Sequence, residues 1–377
     1  MDNANNKKPT LKDSLVCAVF ILFIGVFFAL NIVLPPPAIL VAERRIPAKL
    51  PELTANSVFS GSYMTRFEDY AADRFVFRDF FRAIHSYMVF DLYMQRDISG
   101  LYRSQAVGLG EFKATDASAF RLSAQKINNA AKSLSELDMN IYYSLIPDKS
   151  IYAEFYMPGF DLELAQDILY DVLADYTYID IAGILDADVY YKTDLHWDQR
   201  KISPVVDHLL LSMGNSAGNI EHSKNDYEEF GSPGVFHGLY VGQLALPYAA
   251  DVLSYVDLNN LTVSYMNDKT LEFESGPVYD FQRFSGIDPY DFFLRGPQPL
   301  IVIENEAAPQ RELYLFRDSF GSSLAPLLSC SYSKITVIDL RYINLSLLDM
   351  FISFTPDSDV LFIYGSQILN NPSILQA

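Results

Sequence analysis

The feature that most constrains this chain is an uncharged, apolar run from Leu15 to Leu34, in which Asn31 is the one polar break. At about 1.5 Å per residue, a helix of this length would measure about 30 Å, which matches the hydrocarbon core of a bilayer. The run has no polar face that could meet water at the surface of a soluble domain. It therefore predicts a transmembrane anchor at 15–34, preceded by a cytoplasmic tail at 1–14.

A cleaved signal peptide is the alternative interpretation of this run. The apolar region of a signal peptide usually covers about 7–15 residues and ends at a small-residue cleavage site. Here the run is longer and leads into Pro35–Pro37 with no Ala-x-Ala pattern. Lysines in the first 12 residues favour a cytoplasmic N-terminus, although basic residues at 44–49 oppose this orientation. We therefore expect a single-pass protein of the cell membrane whose large domain is extracytoplasmic.

Charge and cysteine content exclude several classes of protein. The 47 acidic residues exceed the 28 lysines and arginines and give a formal net charge of −19. Such a chain is repelled by phosphate backbones, so nucleic acid is not an expected partner. Cys17 lies within the apolar run and Cys330 lies outside it, so the two cannot pair and cannot form a cysteine-based zinc site.

Beyond the anchor, strand-like and helix-like patterns alternate. Residues 35–100 predict a juxtamembrane linker and helical region. Within it, Phe67–Met94, which contains the run DRFVFRDFFR at Asp73–Arg82, has the pattern of an amphipathic helix that packs the domain near the membrane. Residues 101–377 predict an α/β domain, because unalternating β-branched runs are followed by helices, as in a parallel sheet covered on both faces. Short alternating runs among Gly, Asn, Ser and Pro predict a β-rich insertion at about 215–298.

A candidate nucleophile lies in LYLFRDSFGSSLAPLL, residues 313–328. A predicted strand ends at Phe316, and Ser319 opens a predicted helix. The serine would thus stand at the carboxyl end of a parallel strand, where α/β folds place ligands. Free amides at the helix start, around Ser319 and Phe320, could hold a developing oxyanion. An ordinary helix cap is the alternative, because Ser and Asp commonly cap helices.

A candidate base lies in YYKTDLHWDQR, residues 190–200. Positions two apart in extended backbone point the same way, so Asp194 and His196 would face one pocket. Histidine titrates near neutrality, and a carboxylate can hold its second nitrogen. One alternative is a loop histidine bonded to backbone. Another is a metal site formed with His237, although no HxH or HExxH spacing supports it.

Taken together, these motifs resemble a known family. TDLHW at Thr193–Trp197, RDSFGSSLAPLL at Arg317–Leu328 and VIDLRY at Val337–Tyr342 resemble the DHHW protein family. That family is similar to the SGNH-hydrolase-like proteins that O-acetylate alginate outside the cytoplasm. Further blocks that resemble the family are AERRIPAKLPEL (42–53), DYAADRFVFRD (69–79) and LIPDKSIY (145–152). The resemblance implies an SGNH-hydrolase-like α/β fold for nearly the whole chain after the anchor.

The resemblance also implies roles for single residues. Ser319 matches the nucleophile, His196 the base and Asp194 the orienting acid, in the permuted order of the alginate relatives. Leu195 departs from the Asp-His-His-Trp pattern, and an arginine replaces the usual glycine before Asp-Ser. Further candidates for binding the oxyanion or the substrate are Phe320, Arg317, Lys149 and Trp197. Of these, we expect Arg317 to attract an anionic substrate or to stack at the surface, and Lys149 to supply a charge at the rim.

The function implied by the resemblance is an O-acetyltransferase or an acetylesterase that needs no cofactor. Its substrate would be a cell-envelope polysaccharide or an exopolysaccharide, and its partner a membrane-bound acetyl donor protein. One triad serves both reactions, so the residues do not distinguish transfer from hydrolysis. The alternative is a non-catalytic protein that binds glycan or acts as a scaffold in an envelope polysaccharide assembly.

Overall fold

The computed structural model describes residues 10–35, 37–154, 159–215, 230–258, 261–267 and 269–376. Its first element is the helix α1 (Leu11–Val33), which covers the predicted anchor. The helix begins earlier than expected because Thr10 caps it, accepting a hydrogen bond from the Asp13 amide while the Asp13 carboxylate accepts one from the Thr10 amide. Among the described residues, α1 is the one helix long and apolar enough to cross a membrane, and none of its residues is buried in the protein.

The other helices are short and lie mostly in the domain that follows. In chain order, the remaining α-helices of the described part of the chain are α2 (Ala55–Phe59), α3 (Ser62–Arg74), α4 (Arg78–Tyr87), α5 (Ala117–Ser135), α6 (Leu162–Val172), α7 (Ser203–Ser212), α8 (Leu239–Leu244), α9 (Phe281–Phe284), α10 (Phe320–Leu328) and α11 (Ser366–Leu369). Aspartates start several of them: Asp116 caps α5 and Asp161 caps α6 by accepting hydrogen bonds from amides of the first turn.

The strands form one large sheet and two small ones. In chain order they are β1 (Asp97–Ile98), β2 (Leu101–Ser104), β3 (Gly108–Glu111), β4 (Asn140–Ile146), β5 (Thr177–Tyr178), β6 (Phe230–Phe236), β7 (Asp251–Val256), β8 (Thr262–Met266), β9 (Phe273–Gly276), β10 (Leu300–Glu304), β11 (Glu312–Arg317), β12 (Lys334–Ile338) and β13 (Asp359–Gly365). The large sheet has eight strands in the order β5-β4-β13-β11-β12-β10-β8-β9. Its first five strands are parallel, and β10, β8 and β9 pair antiparallel beyond β12.

The predicted α/β fold, with a parallel sheet between helices, is confirmed. Apolar side chains on one face of the sheet pack against α7 and α10, and those on the other face pack against α5 and α6. This two-sided burial explains why β13 is buried at every position and is apolar from Val360 to Ile363. Two details differ: β10 (Leu300–Glu304) is antiparallel, and the predicted β-rich insertion contributes β8 and β9 to the main sheet. Within that insertion, residues 216–229 lie outside the described part of the chain.

The predicted juxtamembrane region forms a hairpin of two helices, where a single helix was expected at Phe67–Met94. α3 and α4 are separated by a short turn, at which Phe77 adopts a left-handed backbone conformation with φ of +57°. Before the hairpin, residues 40–45 form a strap that lies across α8. Gly242 permits this approach, because a Cβ there would lie 1.6 Å from the Ala42 carbonyl oxygen.

Candidate active site

The carboxyl edge of the parallel strands brings the predicted serine and histidine together. β11 ends at Arg317, and Ser319 is the N-cap residue of α10. The Ser319 hydroxyl lies 2.8 Å from Nε2 of His196, and the other ring nitrogen, Nδ1, lies 2.7 Å from a carboxylate oxygen of Asp194. These three side chains therefore form a continuous hydrogen-bonded chain, although 123 positions separate the histidine from the serine.

The turn that presents Ser319 is held by the buried carboxylate of Asp318. One of its oxygens accepts a hydrogen bond from the Phe320 amide at 3.0 Å, and the other accepts from the Gly365 amide at 2.6 Å. Burial raises the pKa of Asp318, whereas the positive charge of Arg341 and these two amides lower it. The Phe320 amide is thus already bonded, so the predicted oxyanion donor at this position is engaged in holding the turn.

The imidazole of His196 packs against two aromatic rings. Its ring stacks on Tyr290, with centroids 3.8 Å apart and planes 8° apart, and it also contacts the ring of Phe320. The Tyr290 hydroxyl in turn donates to Ser323 Oγ, 2.8 Å away, inside α10. This packing limits rotation of the ring and keeps Nε2 directed at Ser319.

The backbone around Asp194 is a tight loop, although an extended segment was expected. The same carboxylate oxygen that contacts Nδ1 of His196 also accepts a hydrogen bond from the His196 amide at 3.2 Å. Gly238 allows a second segment to approach the loop, because a Cβ at that position would lie 2.2 Å from the Thr193 carbonyl oxygen. The loop therefore brings the pair together by local hydrogen bonding.

A cation from the strap balances the charge of Asp194. The Arg44 guanidinium lies 3.0 Å from the second oxygen of Asp194 and 2.9 Å from Asp288. Burial alone would raise the pKa of Asp194, but Arg44 and the hydrogen bonds from His196 hold it well below its ordinary range. Asp194 is therefore ionised in the folded protein at neutral pH, as an acceptor for a protonated imidazole needs to be.

Trp197 and Lys149, two further predicted binding residues, do not extend into solvent, although Lys149 lines a cavity at Ser319. Trp197 is fully buried, and its indole N–H donates to Ser323 Oγ at 2.8 Å. Lys149 is 3% exposed, and its ammonium donates to the carbonyl oxygens of Tyr191 and Asp194 at 3.0 and 2.8 Å. Burial lowers the pKa of Lys149 to about 8. Both side chains instead stabilise the loop that carries His196.

Two cavities meet at Ser319. The narrower one, of about 40 Å³, is bounded by the ends of β4 and β13 and includes Asp148, Gly365 and Gln367. The wider one, of about 370 Å³, includes Arg44, His196 and Arg317. Ser319 and Leu195 line both cavities, so the hydroxyl lies where two different groups could approach it.

Arg317 is the one predicted binding residue with unused donors beside the wider cavity. Its side chain is completely buried, and its Nη1 lies 3.1 Å from the Asp318 carbonyl oxygen and 3.5 Å from Asp339. Within the described part of the chain, Nε and Nη2 have no hydrogen-bond partner. Those two donors share one edge of the guanidinium, which is the geometry that binds a carboxylate through both oxygens.

Sequence reasoning missed two residues of this site. Gln367 follows the buried strand β13, as Ser319 follows β11, so the rule that located the serine could also have located the glutamine. Its Nε2 lies 3.4 Å from both an Asp148 oxygen and the Tyr240 hydroxyl, which are long contacts that a better acceptor could replace. Arg44 gave no local signal, because only the fold brings the strap to Asp194.

The alternative metal site finds no support in the geometry of its proposed ligands. Both ring nitrogens of His196 are already bonded to Asp194 and Ser319, and His237 lines a separate cavity next to the strap. Among the described residues there is no group of three or more His, Cys, Asp or Glu side chains placed to hold a metal ion.

In comparisons with known proteins, the chain matches solved structures. Neither a protein-family model nor a curated protein matches the chain. The crystal structure of a DHHW family protein from Eubacterium siraeum matches with a TM-score of 0.58 at 18% identity, covering 72% of this chain and 93% of that chain. Bacillus cereus PatB1 with a sulfonyl adduct matches with a TM-score of 0.56 at 18% identity, covering 73% of this chain and 96% of PatB1.

A weaker likeness is to the O-acetyltransferase domain of Pseudomonas putida AlgJ, at 13% identity and a TM-score of 0.37, over 72% of this chain and 92% of that one. It adds nothing to the assignment of the fold. The two stronger matches cover almost the whole of each known structure, so the shared region is a complete domain. The resemblance expected from the motifs is thus confirmed at the level of the fold: the chain is similar to a DHHW family protein and to PatB1.

Proposed function

We propose that this chain is a membrane-anchored, extracytoplasmic O-acyltransferase or esterase that uses Ser319, His196 and Asp194 as a catalytic triad. The observation that carries the proposal is the continuous chain of hydrogen bonds, 2.7 Å from Asp194 to His196 and 2.8 Å from His196 to Ser319. A serine whose hydroxyl contacts a histidine held by a buried carboxylate is the arrangement that activates an alcohol.

In the first half-reaction, Nε2 of His196 takes the proton of Ser319 as its oxygen attacks the carbonyl carbon of an acyl donor. The bond between that carbon and the donor's leaving group then breaks, and the leaving group receives the proton from His196. Asp194 stabilises the imidazolium that exists between these two steps. The product is an acyl ester on Ser319, with the histidine again neutral.

In the second half-reaction, His196 takes a proton from the acceptor hydroxyl, which attacks the acyl ester. The acyl group moves to the acceptor, and the proton returns to Ser319. A sugar hydroxyl as acceptor gives transfer to a polysaccharide, whereas water gives hydrolysis. The stacking of Tyr290 on the imidazole and the burial of His196 and Asp194 support transfer, because both limit the access of water to His196.

The narrower cavity suits the acyl group and its oxyanion. A volume of about 40 Å³ holds roughly three water-sized groups, which is the size of an acetyl group. Gln367 lines this cavity, and its weakly engaged side-chain amide could donate to the oxyanion. The Ser319 amide at the start of α10 could donate a second hydrogen bond there.

The wider cavity suits a sugar acceptor, since its volume of about 370 Å³ lies in the range of small-molecule sites. The unused Nε and Nη2 of Arg317 favour an acceptor that carries an anionic group. Asp339 partly balances the charge of Arg317 at 3.5 Å, so the preference for an anion rests on hydrogen-bond geometry more than on net charge. A membrane-bound acetyl donor protein would supply the acyl group.

The test uses the full chain purified in lipid nanodiscs. We expect hydrolysis of p-nitrophenyl acetate by the wild type, an acetyl group on Ser319 detected by peptide mass spectrometry, and loss of both in Ser319→Ala. PatB1 is known with a sulfonyl adduct, so phenylmethylsulfonyl fluoride is a second probe that should label Ser319.

Ser329→Ala is the matched control, because this serine follows α10 and its hydroxyl donates to the Pro326 carbonyl oxygen at 2.6 Å, away from His196. Unchanged acetyl release and labelling in Ser319→Ala would refute the triad and favour the non-catalytic glycan-binding alternative. Adding an oligosaccharide to the assay separates transfer from hydrolysis, because only transfer yields an acetylated sugar.

A further inference from the structure

We propose that the hairpin of α3 and α4 is seated in the outer leaflet of the membrane, with its exposed phenylalanines in contact with lipid. The surface in question, here called the phenylalanine face, is formed by Phe75, Phe77, Phe80, Phe81 and Ile84. The inference does not depend on the proposed enzymatic activity.

The phenylalanine face is formed by one side of α4 and the turn before it, and α3 contributes none of its residues. Positions 77, 80, 81 and 84 recur at helical spacing on one side of α4. Phe77 is 59% exposed and Phe80 is 62% exposed, although both are large apolar residues. An apolar patch of this kind on a protein usually marks a partner or a membrane.

The opposite side of α4 is turned towards the protein. Arg78 and Arg82 both pair with Glu43 of the strap, and Arg82 also donates to the carbonyl oxygens of Gly242 and Gln243. Arg45 pairs with Asp73 of α3 through both guanidinium donors at 2.7 and 2.6 Å. The polar side is thus used to hold the domain, which leaves the phenylalanine face for something outside it.

The phenylalanine face continues directly onto α1. The ring of Phe27 in α1 packs against Phe75, Phe77 and Phe81, with centroid distances of 6.1, 6.5 and 5.9 Å. Asn31, the one polar residue of the predicted span, accepts a hydrogen bond from the Val76 amide at 3.1 Å. The hairpin is therefore fixed against the last two turns of the helix that is long enough to cross the membrane.

The length of α1 indicates that lipid covers the phenylalanine face. Its 23 residues measure about 35 Å, against a hydrocarbon core of about 30 Å. If the hairpin lay in water, the level of Phe27 would lie in water as well. The part of α1 before Phe27 would then measure only about 24 Å, which is too short to span the core. Placing Phe27 inside the membrane satisfies the span and puts the adjoining phenylalanines among the lipids.

The experiment measures quenching of a tryptophan by brominated lipid, with the full chain in nanodiscs. The background is low, because Trp197 is the single tryptophan of the chain and is fully buried. The test variant is Phe80→Trp, and Phe77→Trp repeats the test at the neighbouring exposed position. The control is Tyr170→Trp, which places a ring at a position on α6 that is 48% exposed and outside the phenylalanine face.

We expect dibrominated phosphatidylcholine to quench Phe80→Trp and Phe77→Trp at least twofold more than the control. Emission from these two variants should also be shifted to the blue relative to Tyr170→Trp. The proposal is overturned if both test variants are quenched no more than the control and emit like an indole in water. That result would leave the phenylalanine face to a protein partner.

Discussion

Arg44 and Asp194 are separated by 150 positions in sequence, yet the guanidinium of the first lies 3.0 Å from the carboxylate of the second. Asp194 is completely buried, and Arg44 is almost completely covered. Arg44 belongs to the strap that follows α1, so a segment close in sequence to this helix directly supports the acid of the candidate triad. The phenylalanine face and the strap are linked through Glu43, which pairs with Arg78 and Arg82. The hairpin thereby fixes the position of Arg44.

The first prediction concerns Arg44 as a positioning residue. In Arg44→Ala, the second oxygen of Asp194 loses its charged partner and keeps the weaker hydrogen bond from the Leu239 amide at 3.2 Å, so the carboxylate is held less firmly against His196. We expect kcat for p-nitrophenyl acetate to fall about 10- to 100-fold, the loss that slight misplacement of a catalytic group can cause. KM should change little, and added guanidinium ion should restore part of the activity.

Arg45→Ala is the control for this prediction, because Arg45 lies next in the strap but pairs with Asp73 and Glu43. Arg45→Ala should lower the unfolding temperature. Any fall in its kcat should not be restored by added guanidinium ion. Equal loss of activity in both variants, with no rescue of either, would show that the strap matters only for folding.

The second prediction concerns Asp194 itself. Asp194→Asn removes the charge that stabilises the imidazolium, and kcat should fall by about 10⁴-fold. Breaking a buried ion pair by removing one partner typically costs about 3–5 kcal/mol, so the free energy of unfolding should fall as well. Asp198→Asn is the comparison, since this buried aspartate pairs with Arg200 and does not contact His196. A similar rate in Asp194→Asn and Asp198→Asn would contradict the role of Asp194.

The third prediction concerns Gln367. If its amide donates to the oxyanion, Gln367→Ala should lower kcat by about 10²-fold, since loss of one such donor costs about 10²- to 10³-fold elsewhere. Gln367→Glu keeps the size and removes the donor, so it should be at least as slow. The acetylation rate of Ser319, measured by rapid quench and mass spectrometry, checks this. Rates within twofold of the wild type for both variants would show that groups other than Gln367 bind the oxyanion.

Much of the site could be predicted because its reactive residues lie in short, recognisable sequence motifs. Asp194 and His196 are two positions apart, and Ser319 follows an apolar strand in a motif that resembles a family. The same reasoning did not anticipate the burial of Trp197 and Lys149. Trp197 is held by Ser323 of α10, and Lys149 by the loop that carries Tyr191 and Asp194, so each depends on a segment more than 40 positions away in the chain.

Arg44 and Arg317 show why tertiary contacts escape a single sequence. Nothing near Arg44 indicates a partner, because its salt bridges to Asp194 and Asp288 span more than a hundred positions. The position of Arg317 was expected, but its burial was not. Gly321 makes that burial feasible, since a Cβ there would lie 2.5 Å from the Arg317 side chain. A guanidinium is buried by several segments that are distant in sequence. The residues next to Arg317 in sequence therefore do not indicate its burial.

The last prediction concerns Asp291, which lines the wider cavity. Burial, and then the negative charge of Asp288, raise the pKa of Asp291 to about 6. In the unfolded chain an aspartate ionises near pH 3.9. Between about pH 4 and 6 the folded protein therefore holds a proton that the unfolded chain has lost, and the free energy of unfolding falls as the pH rises through this window. Asp291→Asn cannot ionise and should escape that loss.

We therefore expect the unfolding temperature of Asp291→Asn to exceed that of the wild type at pH 7 and to approach it towards pH 4. Circular dichroism of the full chain in detergent, at pH values from 4 to 8, measures the difference between the two curves. Asp167→Asn, at an exposed position on α6, should give a difference that does not vary with pH. A constant offset between Asp291→Asn and the wild type across this range would mean that Asp291 titrates normally. The cavity beside Ser319 would then carry its full negative charge even in mild acid, which would weaken the case for an anionic acceptor.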